Sequence, residues 1–297
     1  MAQPVARLLT GFTIVAALLL VVALIFALSQ PTPAPAPLPN PNGYDDFVKA
    51  GGMVVADDNG DYRTMSEEEL RAFVKKNAEA LKLARAGLGR ECRVRLDYSA
   101  TNYVRISDMA AFKRLALAIM AEGRLAELED RPADAAEAYL AVIRLGHAIT
   151  RGGVRIDSLL GVAIEAIGMA PLEKLAPNLD AKHCRELASA LETAESGRES
   201  ADTILKREHA WARRTFGFRA WIERLLRFKE LRQVEQRLTS KVQRQQTRTR
   251  VLLIQLAVRA YELEKGERPK GLADLVPAYL KAIPKDPLTG TNMAYRP

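Results

Sequence analysis

The chain is poor in the residues from which catalytic and metal sites are built. Its three histidines, His147, His183 and His209, stand far apart without i, i+4 spacing, so no helical metal site is read from them. There is no phosphate loop, no nucleophile elbow and no His-Glu-x-x-His. Gly87-Leu88-Gly89 has two glycines of a nucleotide loop, but it follows a helical pattern instead of a strand and reads as a helix stop. No catalytic, cofactor-binding or metal-binding residue is therefore assigned, no cofactor is expected, and the chain reads as a non-enzyme. An enzyme of unidentified type is an alternative supported only by the size of the domain. Cysteine is scarce too. Cys92 and Cys184 form a candidate disulfide if the body lies outside the cytoplasm, and two buried apolar thiols otherwise.

Aromatic residues make up 6% of the chain and long β-branched runs are missing, which argues against a sheet. Ala, Leu, Glu, Arg and Lys dominate instead, and the fold class expected is all-α. Cys92 to Leu96 alternates apolar and basic residues, enough for a short strand or an extended crossing but too short to found a sheet.

One long apolar run is present, from Leu8 to Leu28, with no charge in it. As a helix its 21 residues reach ~31 Å at ~1.5 Å each, about the thickness of a bilayer core. Arg7 precedes the run, whereas Asp45 and Asp46 are the first charges after it. Residues 1–29 are accordingly expected to be a signal anchor that crosses the inner membrane once through residues 8–28. Its amino terminus would be inside and the bulk of the chain extracytoplasmic. A signal peptide cleaved near Ala27-Leu28-Ser29 is the competing reading, though such signals carry only ~7–15 apolar residues. Residues 30–43 follow as a linker in which Pro31, Pro33, Pro35, Pro37, Pro39 and Pro41 alternate. They favour polyproline II, a spacer able to reach ~40 Å.

Residues 44–197 read as helical hairpins around a common core. Ser66 and Glu69 make a capping box for a helix running to Gly87. Later apolar sets include Leu115, Ile119 and Leu125, then Tyr139, Leu140 and Ile143, then Leu160, Ile164 and Ile167. Gly161 and Gly168 would let a neighbour approach closely, Pro171 would kink or restart its helix, and Asp180 would cap the next.

Residues 198–250 hold 15 Lys and Arg against 6 Asp and Glu, so the whole positive excess of the chain sits there. Ile204, Trp211, Leu225, Phe228, Leu231 and Leu238 recur at helical spacing within it, predicting one or two long amphipathic helices. Lys206, Arg207, Arg213, Arg214, Arg219, Arg224, Arg227 and Lys229 are the candidate contacts to an anionic lipid surface or an acidic partner. A solvated charged face over core aromatics is the simpler alternative. The expected topology keeps this charge away from nucleic acid.

Several stretches resemble known families. Asp130 to Leu140 resembles the turn and second helix of one tetratricopeptide hairpin, without a second copy at the expected spacing. Gly11-Phe12-Thr13-Ile14-Val15 resembles the processing site of type IV prepilins, with Ala16 where that family carries glutamate. In residues 251–297, Leu272 to Pro277 and Ile283-Pro284-Lys285-Asp286-Pro287 resemble a segment of the major pseudopilins of type II secretion. Asn42 to Val48 and Cys92 to Tyr98 are similar to stretches of membrane-anchored helical envelope proteins of planctomycete type. The expectation is a membrane-anchored scaffold or interaction module for a protein or peptide partner. An accessory role in a pilus-like or secretion assembly is the alternative that the resemblance implies.

Overall fold

In the computed structural model, which describes residues 15, 18–22, 36–55, 61–98 and 106–295, the proline tether ends at Asn42. The Asn42 side chain accepts from Tyr44 N (3.2 Å) and Arg93 N (2.9 Å), while its amide donates to Arg93 O at 2.8 Å. One residue thereby caps helix α1 (Gly43–Met53) and clamps the extended crossing around Cys92 to it. Asn42 and Gly43, expected as the last residues of the linker, belong to the body.

Ten α-helices follow from that point, and no strand occurs among the described residues. The capping box forms as expected and opens α2 (Glu67–Lys76). The helix then breaks at Asn77 instead of running on to Gly87. The buried Asn77 side chain accepts from Val55 N at 2.8 Å and donates to Phe73 O at 3.0 Å, so a bond to a segment 22 residues away redirects the backbone. After it come α3 (Ala78–Leu88), α4 (Ile106–Leu128) and α5 (Pro132–Ala148). The α4–α5 turn is the one expected at Asp130-Arg131-Pro132, with Pro132 at the first helical position, where its missing N–H costs nothing.

Helix α5 packs most extensively on α6 (Arg155–Leu175). Their backbones meet at glycines: a Cβ on Gly161 would lie 2.6 Å from Gly146 O, and one on Gly168 would lie 2.6 Å from Tyr139 O. Pro171 neither ends nor restarts α6; buried Met169, Leu172 and Leu175 hold the helix on both sides of it. Asp180 caps α7 (Ala181–Ser196), accepting from His183 N at 2.8 Å, and α7 buries Cys184, Leu187 and Leu191.

The basic segment forms three helices, one more than the pattern predicts: α8 (Ala201–Phe216), α9 (Phe218–Leu226) and α10 (Phe228–Lys265). Gly217, at φ 58 and ψ −134, breaks the first junction, and Arg227 breaks the second. Helix α10, 38 residues or ~57 Å long, does two jobs. Its second half buries Leu252, Leu253, Leu256 and Ala257 in the main core, while Leu238 and Val242 hold α8 through Ile204. Trp211 of α8 packs on Val154 and donates from Nε1 to Asp97 O at 2.8 Å. The tail folds back as expected, with Leu272, Leu275 and Leu280 buried. It contains a short 3-10 turn (Leu272–Leu275) and one isolated bridge between Lys285 and Asn292.

Among the described residues no helix is long and apolar enough to cross a membrane. The expected transmembrane helix therefore has no support in the structure. Most of Leu8 to Leu28 lies outside the described residues, and Val15 and Leu18 to Val22 are helical and exposed.

Candidate functional site

Helix α5 floors a groove with two lobes. The first, about 600 Å³, lies between the end of α3, α5 and α7. Four arginines, Arg90, Arg144, Arg151 and Arg185, line it against one acid, Glu186. The second, about 620 Å³, runs between α3, α4 and α5 over an apolar floor that includes Ala84, Ile119, Ala138 and Ala141. Leu88 and Arg144 belong to both lobes. Arg144 donates to Leu88 O at 3.2 Å and forms the ridge where the lobes meet.

The two lobes differ in charge. In the second, Arg85 pairs with Glu122 and Arg131 with Asp134, so its cations are neutralised. In the first, Arg90 is held by Asp46 and Arg185 by Glu264, but Arg151 is exposed and has no acidic partner among the described residues. Arg144, also exposed, is satisfied only by a carbonyl. The groove therefore presents uncompensated positive charge at one end and small apolar side chains at the other.

Behind the first lobe lies a buried polar cluster. Glu165 of α6 is fully buried, and Arg198 grips its carboxylate at 2.7 and 3.1 Å. The same guanidinium binds Glu195 through Nε (2.9 Å) and donates to His147 Nε2 (2.8 Å). His147 thus accepts at Nε2 and is neutral. Burial first, then the charge of Arg198, pulls its pKa down to about 3. Burial likewise holds the Glu165 carboxyl above its ordinary value, against the opposing pull of Arg198. Glu195 passes the chain of charges on to Arg250 of α10 at 3.3 Å. With every strong acceptor engaged and Glu165 closed to solvent, the cluster ties α5, α6, α7 and α10 together and offers no free base.

The eight candidate surface cations separate into two groups. Arg207 is not a free surface charge: it is half-buried, pairs with Glu199 and donates to Gly153 O at 2.7 Å. Arg214 lies over the Tyr98 ring, Lys206 pairs with Asp202 one turn away, and Arg227 pairs with Glu223 and Glu230. Arg213, Arg219, Arg224 and Lys229 are exposed without an acidic partner among the described residues. The candidate disulfide is not formed. Cys92 and Cys184 are buried free thiols, raised by burial to about 12 and about 11.

His209 meets Glu235 and His183 meets Asp180, both at 2.8 Å, as isolated pairs. No group of three or more potential metal ligands occurs among the described residues. The groove arginines escape sequence reasoning because they come from four separate segments; only the three- and four-residue spacing of Ala138, Ala141, Arg144, Ala148 and Arg151 hints at a shared face. No protein-family model, curated protein or solved structure matches the chain.

Proposed function

We propose that the chain is a membrane-anchored, extracytoplasmic interaction module whose groove along α5 receives an acidic, extended segment of a partner protein. The two-lobed groove carries this reading. Its small-residue floor admits a backbone, and its uncompensated Arg144 and Arg151 favour carboxylates at one end. The buried Glu165–Arg198 clasp supports a binding role over catalysis, because it fixes the helices beneath the groove without presenting a reactive group. The uncharged run Leu8 to Leu28 supports the anchor, and the proline linker supports a body held off the bilayer.

A fluorescent oligoglutamate peptide tests the groove by anisotropy against the detergent-solubilised full chain. Binding should exceed that of an oligolysine peptide and weaken roughly tenfold in an Arg144→Glu, Arg151→Glu variant, at about 1 kcal/mol or less per exposed charge. Equal affinity for the two peptides, or an unchanged variant, would rule the reading out.

A further inference from the structure

The tip of the arm formed by α8, α9 and the start of α10 is apolar and uncovered. Ile222, Leu225, Leu226 and Phe228 are all exposed, Leu226 to 79% and Leu225 to 63%, within an unbroken exposed stretch from 222 to 230. Four large apolar side chains together in water are not an ordinary monomer surface. On α9, Ile222, Leu225 and Leu226 fall at i, i+3 and i+4 and so share one stripe. At ~100° per residue, Arg219 falls on one border of that stripe, beside Leu226, while Arg224 falls on the opposite face of α9. The two tip acids, Glu223 and Glu230, both pair with Arg227. Arg219, Arg224, Lys229 and Arg232 keep their charge without an acidic partner among the described residues.

From this arrangement we infer that the arm tip docks on an anionic bilayer. Ile222, Leu225, Leu226 and Phe228 enter the boundary between headgroups and acyl chains, and the flanking cations sit on lipid phosphates. An apolar stripe bordered by Arg219, with Lys229 and Arg232 exposed on the adjoining start of α10, fits such an interface, because basic stems extend along the apolar zone while their heads stay at phosphate depth. A second copy of the chain fits worse: two tips brought face to face would set arginine against arginine around a shared apolar centre. The apolar run Leu8 to Leu28 adds a reason for a bilayer to be near, and to that extent the inference rests on the anchor reading.

The test uses the full chain with Leu226→Cys carrying an environment-sensitive fluorophore. Cys92 and Cys184 are buried and spared from labelling. A label at Glu267→Cys, exposed beyond the other end of α10, is the control. In vesicles containing phosphatidylglycerol, the label at 226 should shift to the blue and be quenched by nitroxide lipids, while the control should not. Quenching should fall roughly tenfold in an Arg219→Glu, Lys229→Glu variant and weaken at ~1 M salt, where screening acts within ~3 Å.

No quenching with anionic vesicles overturns the inference, as does equal quenching with purely neutral ones. Shielding of the label in lipid-free detergent that grows with protein concentration would assign the tip to a second copy, and shielding only by added acidic protein would assign it to such a partner. Flotation with neutral vesicles reports the anchor separately, so failure to float removes the anchor while quenching at 226 still decides the arm.

Discussion

Replacing Arg198 with methionine isolates the energetics of the buried clasp. The guanidinium is only 9% exposed, and it satisfies both oxygens of a fully buried carboxylate, one oxygen of Glu195 and the Nε2 of His147. Methionine fills part of the volume but leaves Glu165 without compensation. Breaking a buried pair on one side costs about 3–5 kcal/mol. Glu195 retains Arg250, so it adds little. A loss of about 4 kcal/mol is expected, a large part of the ~5–15 kcal/mol that holds a domain together. The loss should depend on pH. Without Arg198 opposing burial, the Glu165 pKa rises further, and a folded-state pKa above the unfolded value makes the charged form the costly one. The penalty is therefore full at high pH and shrinks as the carboxyl takes up a proton on acidification. Urea unfolding of the detergent-solubilised chain, followed by circular dichroism, should show a larger gap between wild type and Arg198→Met at pH 8 than at pH 5.5. Adding Glu165→Gln should recover at least half of it. A gap under about 1 kcal/mol at both pH values, or no recovery in the double variant, would refute the view that Glu165 is a buried charge dependent on Arg198.

Two further outcomes follow from the same interior. His147 is held at about 3 in the folded chain against about 6.5 unfolded, so its contribution is complete above pH 6.5 and is lost as pH falls. By pH 4.5 the stability difference between wild type and His147→Gln should narrow by roughly 3 kcal/mol; a constant difference in urea titrations at pH 7.5 and 4.5 would contradict neutral burial. Cys92 and Cys184, buried and raised to about 12 and about 11, should resist alkylation in the folded chain and react together once urea unfolds it. Their migration should be the same with and without reductant, and fast native labelling of either would show that its site is open.

What the sequence made legible was local. The Ser66–Glu69 box, the Asp180 cap and the turn at Pro132 each depend on residues within four positions of one another, so pattern alone finds them. The close packing at Gly161 and Gly168 is also legible, because a missing side chain in a helix has few other uses. Asn77 is different. Its helix-interior setting predicts continuity, and only the distant Val55 backbone explains the break. Arg198 carries the same lesson into the interior: by composition it is one more charge of a basic segment, yet it is the residue around which four helices are tied. The groove depends on arginines gathered from the end of α3, from α5 and the turn after it, and from α7, and no linear spacing brings these together.

The positive excess of residues 198–250 is thus not one property of one face. Part of it points inward and holds the fold: Arg198 on Glu165, Arg207 on Glu199, Arg248 on Glu173 at 2.6 Å, and Arg250 on Glu195. Subtracting these pairs leaves the free charge displaced toward the arm, on Arg213, Arg219, Arg224, Lys229 and Arg232, and on Arg237, Lys241 and Arg244 further along α10. Such charge without counter-charge repels itself and weakens a compact state unless a partner or solvent screens it. Part of it, on Arg219, Arg224, Lys229 and Arg232, lies at the tip with the exposed Ile222, Leu225, Leu226 and Phe228. Core packing accounts for neither feature, since Leu225 and Leu226 bury little and these cations have no acidic partner among the described residues. A surface that is at once apolar and anionic would satisfy both, which is why the arm tip, more than the net charge, gives the basic segment a meaning.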